Sequence, residues 1–298
     1  MDATRLKEYL EEKRITVERT LASLLDGIED SGRLAQAMRY STMAGGKRVR
    51  PVLLMAAADA VGGDGGQFVE VGCAIECIHT FSLIHDDLPA LDNDDLRRGN
   101  PTCHKQYDEA TAILAGDALL IFAFEILSDA GSRLGVAPDR HIMAIRAIAR
   151  ASGVHGMCEG QMRDIEGESR GLSFAELEAL HRRKTGALIE ASTYCGAVLG
   201  GGTDEQVAAL LEYGRSIGLA FQVADDILNV EGDPELLGKA VGTDAGRNKS
   251  TYPGLLGLEQ ARAFAVKLVD DAMTAISGLG EAGEPLRGLA RYIVSRRR

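Results

Sequence analysis

Five aspartates fall within residues 86–95, and Arg97 and Arg98 follow at once. Carboxylates this close repel one another, so a fold that gathers them must supply a compensating charge. Hard divalent cations do so, because they prefer carboxylate oxygens. A second acidic pair, Asp225-Asp226, stands far downstream with Asn229 behind it. Each pair closes an apolar helical run, which suggests two walls of one metal site between facing helices. Arginines beside metal-binding carboxylates point to a phosphorylated substrate.

The chain around these stretches reads as helical. Leu6, Leu10, Ile15, Val17, Leu21, Leu24 and Leu25 approximate one apolar stripe. A short helix is expected over 34–43, ending at Ala44-Gly45-Gly46-Lys47-Arg48-Val49-Arg50-Pro51, with Pro51 near the first turn of the next. Residues 52–61 are almost wholly apolar and should be buried. Further helices are expected over 68–85, 107–127, 139–153, 155–165, 173–199, 204–230, 255–276 and 285–295. Ser173 with Glu176 has the spacing of a capping box, and Thr203 suits an N-cap. Residues 232–253 are polar and glycine-containing, long for an inert connection and suited to a lid. No strand, repeat or dividing linker stands out. The expectation is one all-α domain over 1–298, a large helical bundle with its sites between helices.

Composition narrows the function. The net charge of −11 argues against nucleic acid as a partner. It also means that an anionic substrate needs local basic residues or metal ions. No apolar run approaches the roughly 18 residues of a membrane span, and the N-terminus lacks a signal-peptide core. Five cysteines, an odd number, fit a reduced, cytoplasmic setting. Cys73, Cys77, His79, Cys103 and His104 match no common zinc spacing, so small apolar packing is expected of the thiols.

Helical geometry groups the polar residues. Gln222, Asp225 and Asn229 share one face at i, i+3 and i+7, whereas Asp226 points partly away. Asp86 and Asp92 are six residues apart, a rotation of roughly 240°, so Pro89 must end or distort the helix between them. Gln161 and Asp164 form another i, i+3 pair. Taken singly, an Asp-Asp pair is most often a solvated helix end, and Arg97-Arg98 a surface charge. Together, each at the end of an apolar helix, they can meet across a bundle.

These motifs, in this order, resemble the trans-prenyl diphosphate synthases. The stretch from Glu76 through the aspartate cluster to Gly99 resembles their first aspartate-rich motif, in the longer spacing of bacterial farnesyl and plant geranylgeranyl diphosphate synthases. The segment from Gly45 to Pro51, Gly116-Asp117-Ala118-Leu119-Leu120, Gly160-Gln161, Lys184-Thr185-Gly186, Phe221-Gln222, Asp225-Asp226 and residues 242–253 are similar to further motifs. The resemblance implies an all-α isoprenoid synthase bundle with a deep central cavity, usually a homodimer. It implies head-to-tail joining of an allylic diphosphate to isopentenyl diphosphate with three Mg2+ ions. Asp86, Asp92 and Asp225 correspond to metal ligands, with Asp87, Asp164 and Asp226 as direct or water-mediated helpers. Arg97, Lys184 and Lys239 correspond to contacts with the allylic diphosphate, and Lys249 joins the closing segment. Lys47, Arg50, His79 and Arg98 correspond to the isopentenyl diphosphate site, while Thr185 and Gln222 face the reacting carbons. The tail Arg296-Arg297-Arg298 could fold over the isopentenyl site or fray.

Phe81 and Ser82, five and four residues before Asp86, resemble the chain-length floor of bacterial farnesyl diphosphate synthases, so a fifteen-carbon product is expected. A geranylgeranyl (or geranyl) diphosphate synthase is the alternative. A non-catalytic regulatory subunit is disfavoured because Asp86, Asp87, Asp92, Asp225 and Asp226 all persist. A terpene cyclase is disfavoured by Lys47 and Arg50. Asn229 departs from the family's usual aspartate: it keeps an oxygen donor but loses the charge.

Overall fold

The computed structural model describes residues 1–28, 32–168, 170–231 and 249–295. Lys239, most of the 232–253 segment and the 296–298 tail lie outside the described residues. Helices dominate: α1 Ala3–Asp26, α2 Arg33–Thr42, α3 Val49–Ala60, α4 Val69–Asp86, α5 Cys103–Gln106, α6 Glu109–Arg133 and α7 Pro138–Ser152. There follow α8 Met157–Glu168, α9 Phe174–His181, α10 Ala187–Leu199, α11 Asp204–Glu231, α12 Tyr252–Leu256, α13 Leu258–Ala275 and α14 Glu284–Ser295.

Two helices without a polar face organise the packing. Nearly every residue of α3 and α10 is buried, as helices apolar all round must be. Leu54, Met55 and Ala58 of α3 join one core cluster with α4 and α6, while Val52, Leu53 and Ala56 join another with α11 and α13. In the same way α10 gives Leu188 and Cys195 to the first cluster and Ile189 and Ala197 to the second. The amphipathic α1, α7 and α14 lie outside this pair.

The local signals at helix starts are realised. Ser173 and Glu176 form a reciprocal capping box on α9, and Thr203 and Gln206 exchange the same bonds at α11. Three expectations need correction. The expected single helix over 173–199 is interrupted by a π turn, Arg182–Gly186. The helix expected over 255–276 is two, α12 and α13, parted at Gly257 with φ of 80°. A short antiparallel hairpin does exist: β1 Leu96–Arg97 pairs with β2 Asn100–Pro101. Its turn residues Arg98 and Gly99 have φ of 54° and 80°, the backbone a tight two-residue hairpin turn demands.

Hydropathy also needs correction. The segments 65–86 and 109–131 are each long and apolar enough to cross a membrane by length and composition alone. Most of the first is buried among other helices, as the core helix of a folded domain is. On α6, Ile113, Leu114 and Ile121 remain exposed. Four of the cysteines pack in the interior and Cys158 is exposed.

Candidate active site

The aspartate cluster is folded back on the helix that delivers it. Helix α4 stops at Asp86, and the chain turns so that the Asp92 amide donates to the Asp86 carbonyl at 2.9 Å. The turn thereby overcomes the rotation that would separate the two carboxylates on a continuous helix. Asp86 is largely buried, which pushes its carboxyl pKa up against the pull of Lys184, and Asp92 pushes it further. Its Oδ1 is buried with no hydrogen-bond partner, an open acceptor site of a kind that folded proteins rarely leave unused.

Asp164 of α8 comes to the same place. Lys184 Nζ lies 2.6 Å from Asp164 and 3.9 Å from Asp86. Lys249 Nζ lies 3.2 Å from Asp164, 3.4 Å from Asp92 and 3.5 Å from Glu168. Two ammonium groups are thus lodged among four carboxylates from the end of α4, its following turn and α8. Burial opposes the charge on Lys249, but Asp164 and Asp92 outweigh it and raise its pKa. Asp164 is held low by the two lysines in spite of its burial. Lys184 reaches this position because α8 passes close to the π turn: a Cβ at Gly160 would stand 2.2 Å from the Lys184 amide nitrogen. Only glycine permits that approach.

The next residue of the π turn begins a second chain of contacts. Thr185 Oγ1 donates to Gln222 Oε1 at 2.9 Å, and Gln222 Nε2 donates to Asp226 Oδ1 at 3.2 Å. Asp226 is buried and also accepts from the Tyr252 amide at 3.0 Å. It therefore anchors the start of α12 and the Gln222 amide. Asp225 and Asn229 are half-buried on α11.

A cationic group lies on another side of α4. Burial lowers the pKa of His79 well below its ordinary value, and Arg50, Arg98, Arg97 and Arg48 add to the effect. Arg50 is depressed by burial and by Arg98, with Glu76 and Asp225 acting the other way. Its Nε is buried without a hydrogen-bond partner. Arg98 donates to the Gly45 carbonyl, tying the hairpin to the glycine loop. The structure so brings His79, Arg50 and Arg98 together, an arrangement that favours an anion. Lys47 is exposed and lines a different cavity of about 770 Å3 between α1 and α14, with Phe221.

Two more of the expected site residues meet each other. Arg97 Nε donates to Asp87 at 2.9 and 3.1 Å, and the Arg97 guanidinium pairs with both Asp87 and Asp94. Asp87 is 3% exposed, and burial pushes its pKa up to about 6 although Arg97 opposes the shift. In this structure its carboxylate holds Arg97. Sequence reasoning missed the pair Arg48–Glu76, buried at 2% exposure each and joined at 2.9 Å. The signal was Glu76, a lone acid inside an apolar helical run.

Phe81 is buried and meets the His85 ring edge-on, with centroids 5.2 Å apart. The Ser82 hydroxyl donates back to the His79 carbonyl at 2.7 Å. Among the described residues no three His, Cys, Asp or Glu side chains stand grouped as a ready metal cage; lysines 184 and 249 hold the spaces between the aspartates. The donor chemistry nevertheless fits Mg2+: all oxygen, carboxylate-rich, with one buried acceptor of Asp86 unused.

The chain matches known proteins over nearly its whole length. A model of the polyprenyl synthetase family fits residues 31–276. The chain is 42% identical over 291 residues to the farnesyl diphosphate synthase of Geobacillus stearothermophilus, covering 98% of each. It is 47% identical to the chloroplastic geranylgeranyl pyrophosphate synthase of Capsicum annuum, covering 97% of this chain and 78% of that one. The apo crystal structure of an FPP/GFPP synthase from Zymomonas mobilis superposes with a TM-score of 0.87 at 42% identity, covering 98% of this chain and 100% of that one. The chain belongs to the polyprenyl synthetase family, with the isoprenoid synthase fold.

Proposed function

We propose that this protein is a farnesyl diphosphate synthase, one 298-residue domain that joins isopentenyl diphosphate to dimethylallyl and then geranyl diphosphate. The observation that carries the reading is the lodging of Lys184 and Lys249 among Asp86, Asp92 and Asp164. Ammonium groups among carboxylates suit a site that must receive a diphosphate and neutralise it as it departs. Mg2+, three ions in all, held by Asp86, Asp92 and Asp225, supplies further positive charge against the leaving diphosphate when bound.

The chain's own residues perform the rest. Lys184 and Lys249 bind the allylic diphosphate oxygens and stabilise the charge that grows on them as the C1–O bond breaks. Arg97, aligned by Asp87, and Lys239 complete that contact. His79, Arg50 and Arg98 hold isopentenyl diphosphate. Thr185 and Gln222, locked in one hydrogen bond, point their dipoles at the allylic cation and fix its orientation. The isopentenyl double bond attacks C1, and the proton then lost passes to the diphosphate just formed. No protein nucleophile is required. Residues 232–253 shield the cation from water.

The product is limited by Phe81, whose ring is wedged against His85. The geranylgeranyl reading is favoured by one observation, the 47% identity to the Capsicum annuum enzyme. The exposed Ile113, Leu114 and Ile121 of α6 supply the contact face of a homodimer, and the setting is cytoplasmic. The test is a product assay with Mg2+, labelled isopentenyl diphosphate and either starter. A dominant fifteen-carbon product is expected. A dominant twenty-carbon product would replace Phe81 as the floor, and no product from either starter would overturn the reading.

A further inference from the structure

A second cationic site lies away from the aspartates. Arg146 and Arg150 of α7, His155 beyond it, and Arg182 and Arg183 of the π turn line one cavity of about 680 Å3. Arg146 and Arg150 stand at i, i+4 and face the same groove, an arrangement that destabilises a helix unless something answers it. Neither makes a hydrogen bond or ion pair with any described residue. Arg182 is paired with Glu178 at 2.8 Å. Arg183 donates only to the Ala179 carbonyl, at 3.2 Å. Glu190, the one carboxylate among the described lining residues, already pairs with Arg215 at 3.2 Å. Arg146, Arg150 and Arg183 therefore present positive charge that no carboxylate among the described residues answers. This happens in a chain of net charge −11, where the surface average disfavours such a grouping.

Guanidinium forks match phosphate oxygens two at a time. Forks from two facing elements match a chain of linked phosphates better than a single one. The cavity is of the size that holds a small molecule. Met143, Ala147 and Tyr194 also line it, so a ligand can lay a non-polar body against them while its phosphates meet the arginines.

The groove is joined to the candidate active site by one short segment. Arg182 and Arg183 precede Lys184 in the same five-residue π turn, and Lys184 carries the 2.6 Å contact to Asp164. A π turn is a rare and easily altered piece of helix. A ligand that draws Arg183 toward α7 moves the backbone that aims Lys184. We propose that the groove between α7 and the π turn is a regulatory site for a small molecule bearing a di- or triphosphate group, coupled to catalysis through Lys184.

Inorganic tripolyphosphate serves as the probe. The first measurement is calorimetric titration of the full-length protein in EDTA, which needs no turnover and so stands apart from the assigned reaction. The wild type is expected to bind, and Arg146→Gln/Arg150→Gln to bind at least tenfold more weakly. Equal binding by both proteins, with the anion held instead by Lys184 and Lys249 or by the group of His79, Arg50 and Arg98, overturns the site. The second measurement is turnover at saturating substrates and fixed free Mg2+. Without probe the variant is expected to match the wild type within twofold, since neither arginine belongs to the catalytic group. With probe the wild-type rate is expected to change severalfold and the variant rate to stay constant. Binding without a change of rate overturns the coupling. Sedimentation of both proteins completes the test: a variant that alters subunit association shows that the groove faces a second copy, and overturns a ligand site there.

Discussion

The sharpest test of the packing argument is Arg48→Met. Arg48 lies between the glycine loop and α3, with φ of 50° and 2% exposure. Its guanidinium meets Glu76 at 2.9 Å and the Thr42 carbonyl at 2.8 Å. Methionine fills a similar stem and faces the same backbone strain as arginine, so the change isolates the charge. Removing one partner of a buried ion pair leaves the other charge uncompensated, at a cost of about 3–5 kcal/mol. For a domain of this size that corresponds to a fall in melting temperature of roughly 5–8 °C. The assay is thermal unfolding followed by circular dichroism, together with urea midpoints to confirm a common slope. The double variant Arg48→Met/Glu76→Leu should recover most of the loss, because two apolar side chains of similar volume replace the pair without an unpaired charge. Equal stability of Arg48→Met and wild type, or a double variant no better than the single one, would refute the reasoning. A looser loop should also raise the KM for isopentenyl diphosphate, since Arg50 follows two residues on.

Other outcomes are expected. Lys184→Gln should lower kcat/KM about 10²–10³-fold by steady-state assay, and it should also lower the melting temperature measured in EDTA, because Asp164 and Asp86 lose a counter-ion. Phe81→Ala should lengthen the main product and cost about 3 kcal/mol of stability, read by chromatography and denaturant titration. Asn229→Asp should lower the Mg2+ concentration needed for half-maximal rate; an unchanged magnesium curve would make the position peripheral. His181 is buried against Tyr252, and burial pulls its pKa down to about 3. Below about pH 6.5 the unfolded chain takes up a proton that the folded one refuses, so stability is lost as pH falls, by up to about 1.4 kcal/mol per pH unit. His181→Phe should flatten that part of the urea-midpoint profile between pH 6.5 and 4.

Much of the fold could be read from residues because each core helix carries its own pattern. The apolar run at 52–61 and the capping box at Ser173 are local signals, and the structure follows them. The π turn at 182–186 left no such trace: it depends on how closely α8 packs at Gly160, a tertiary contact between segments distant in sequence. The break at Gly257 was visible as an isolated glycine, but an apolar pattern on either side hid it. At the site, Asp86, Asp92, Asp164, Lys184, Lys249, Thr185 and Gln222 stand together as their motifs suggest. Asp226 meets this group through Gln222, and Asp87 turns to Arg97, because adjacent residues on a helix point about 100° apart. Arg48 was hidden by its neighbours: in a run of basic residues it looks like surface charge, and only Glu76 opposite explains its burial.

The lysines among the aspartates have a consequence for how the protein is made. A pocket of bare carboxylates would resist collapse until a metal arrived, and the nascent chain would wait on the ion supply. Here the polypeptide carries its own counter-ions to the folding reaction. On the proposed reading, folding and metal loading are separate events, so protein made without the ion is expected to fold and to wait for it. Adding the ion should then start turnover within the mixing time, without new synthesis.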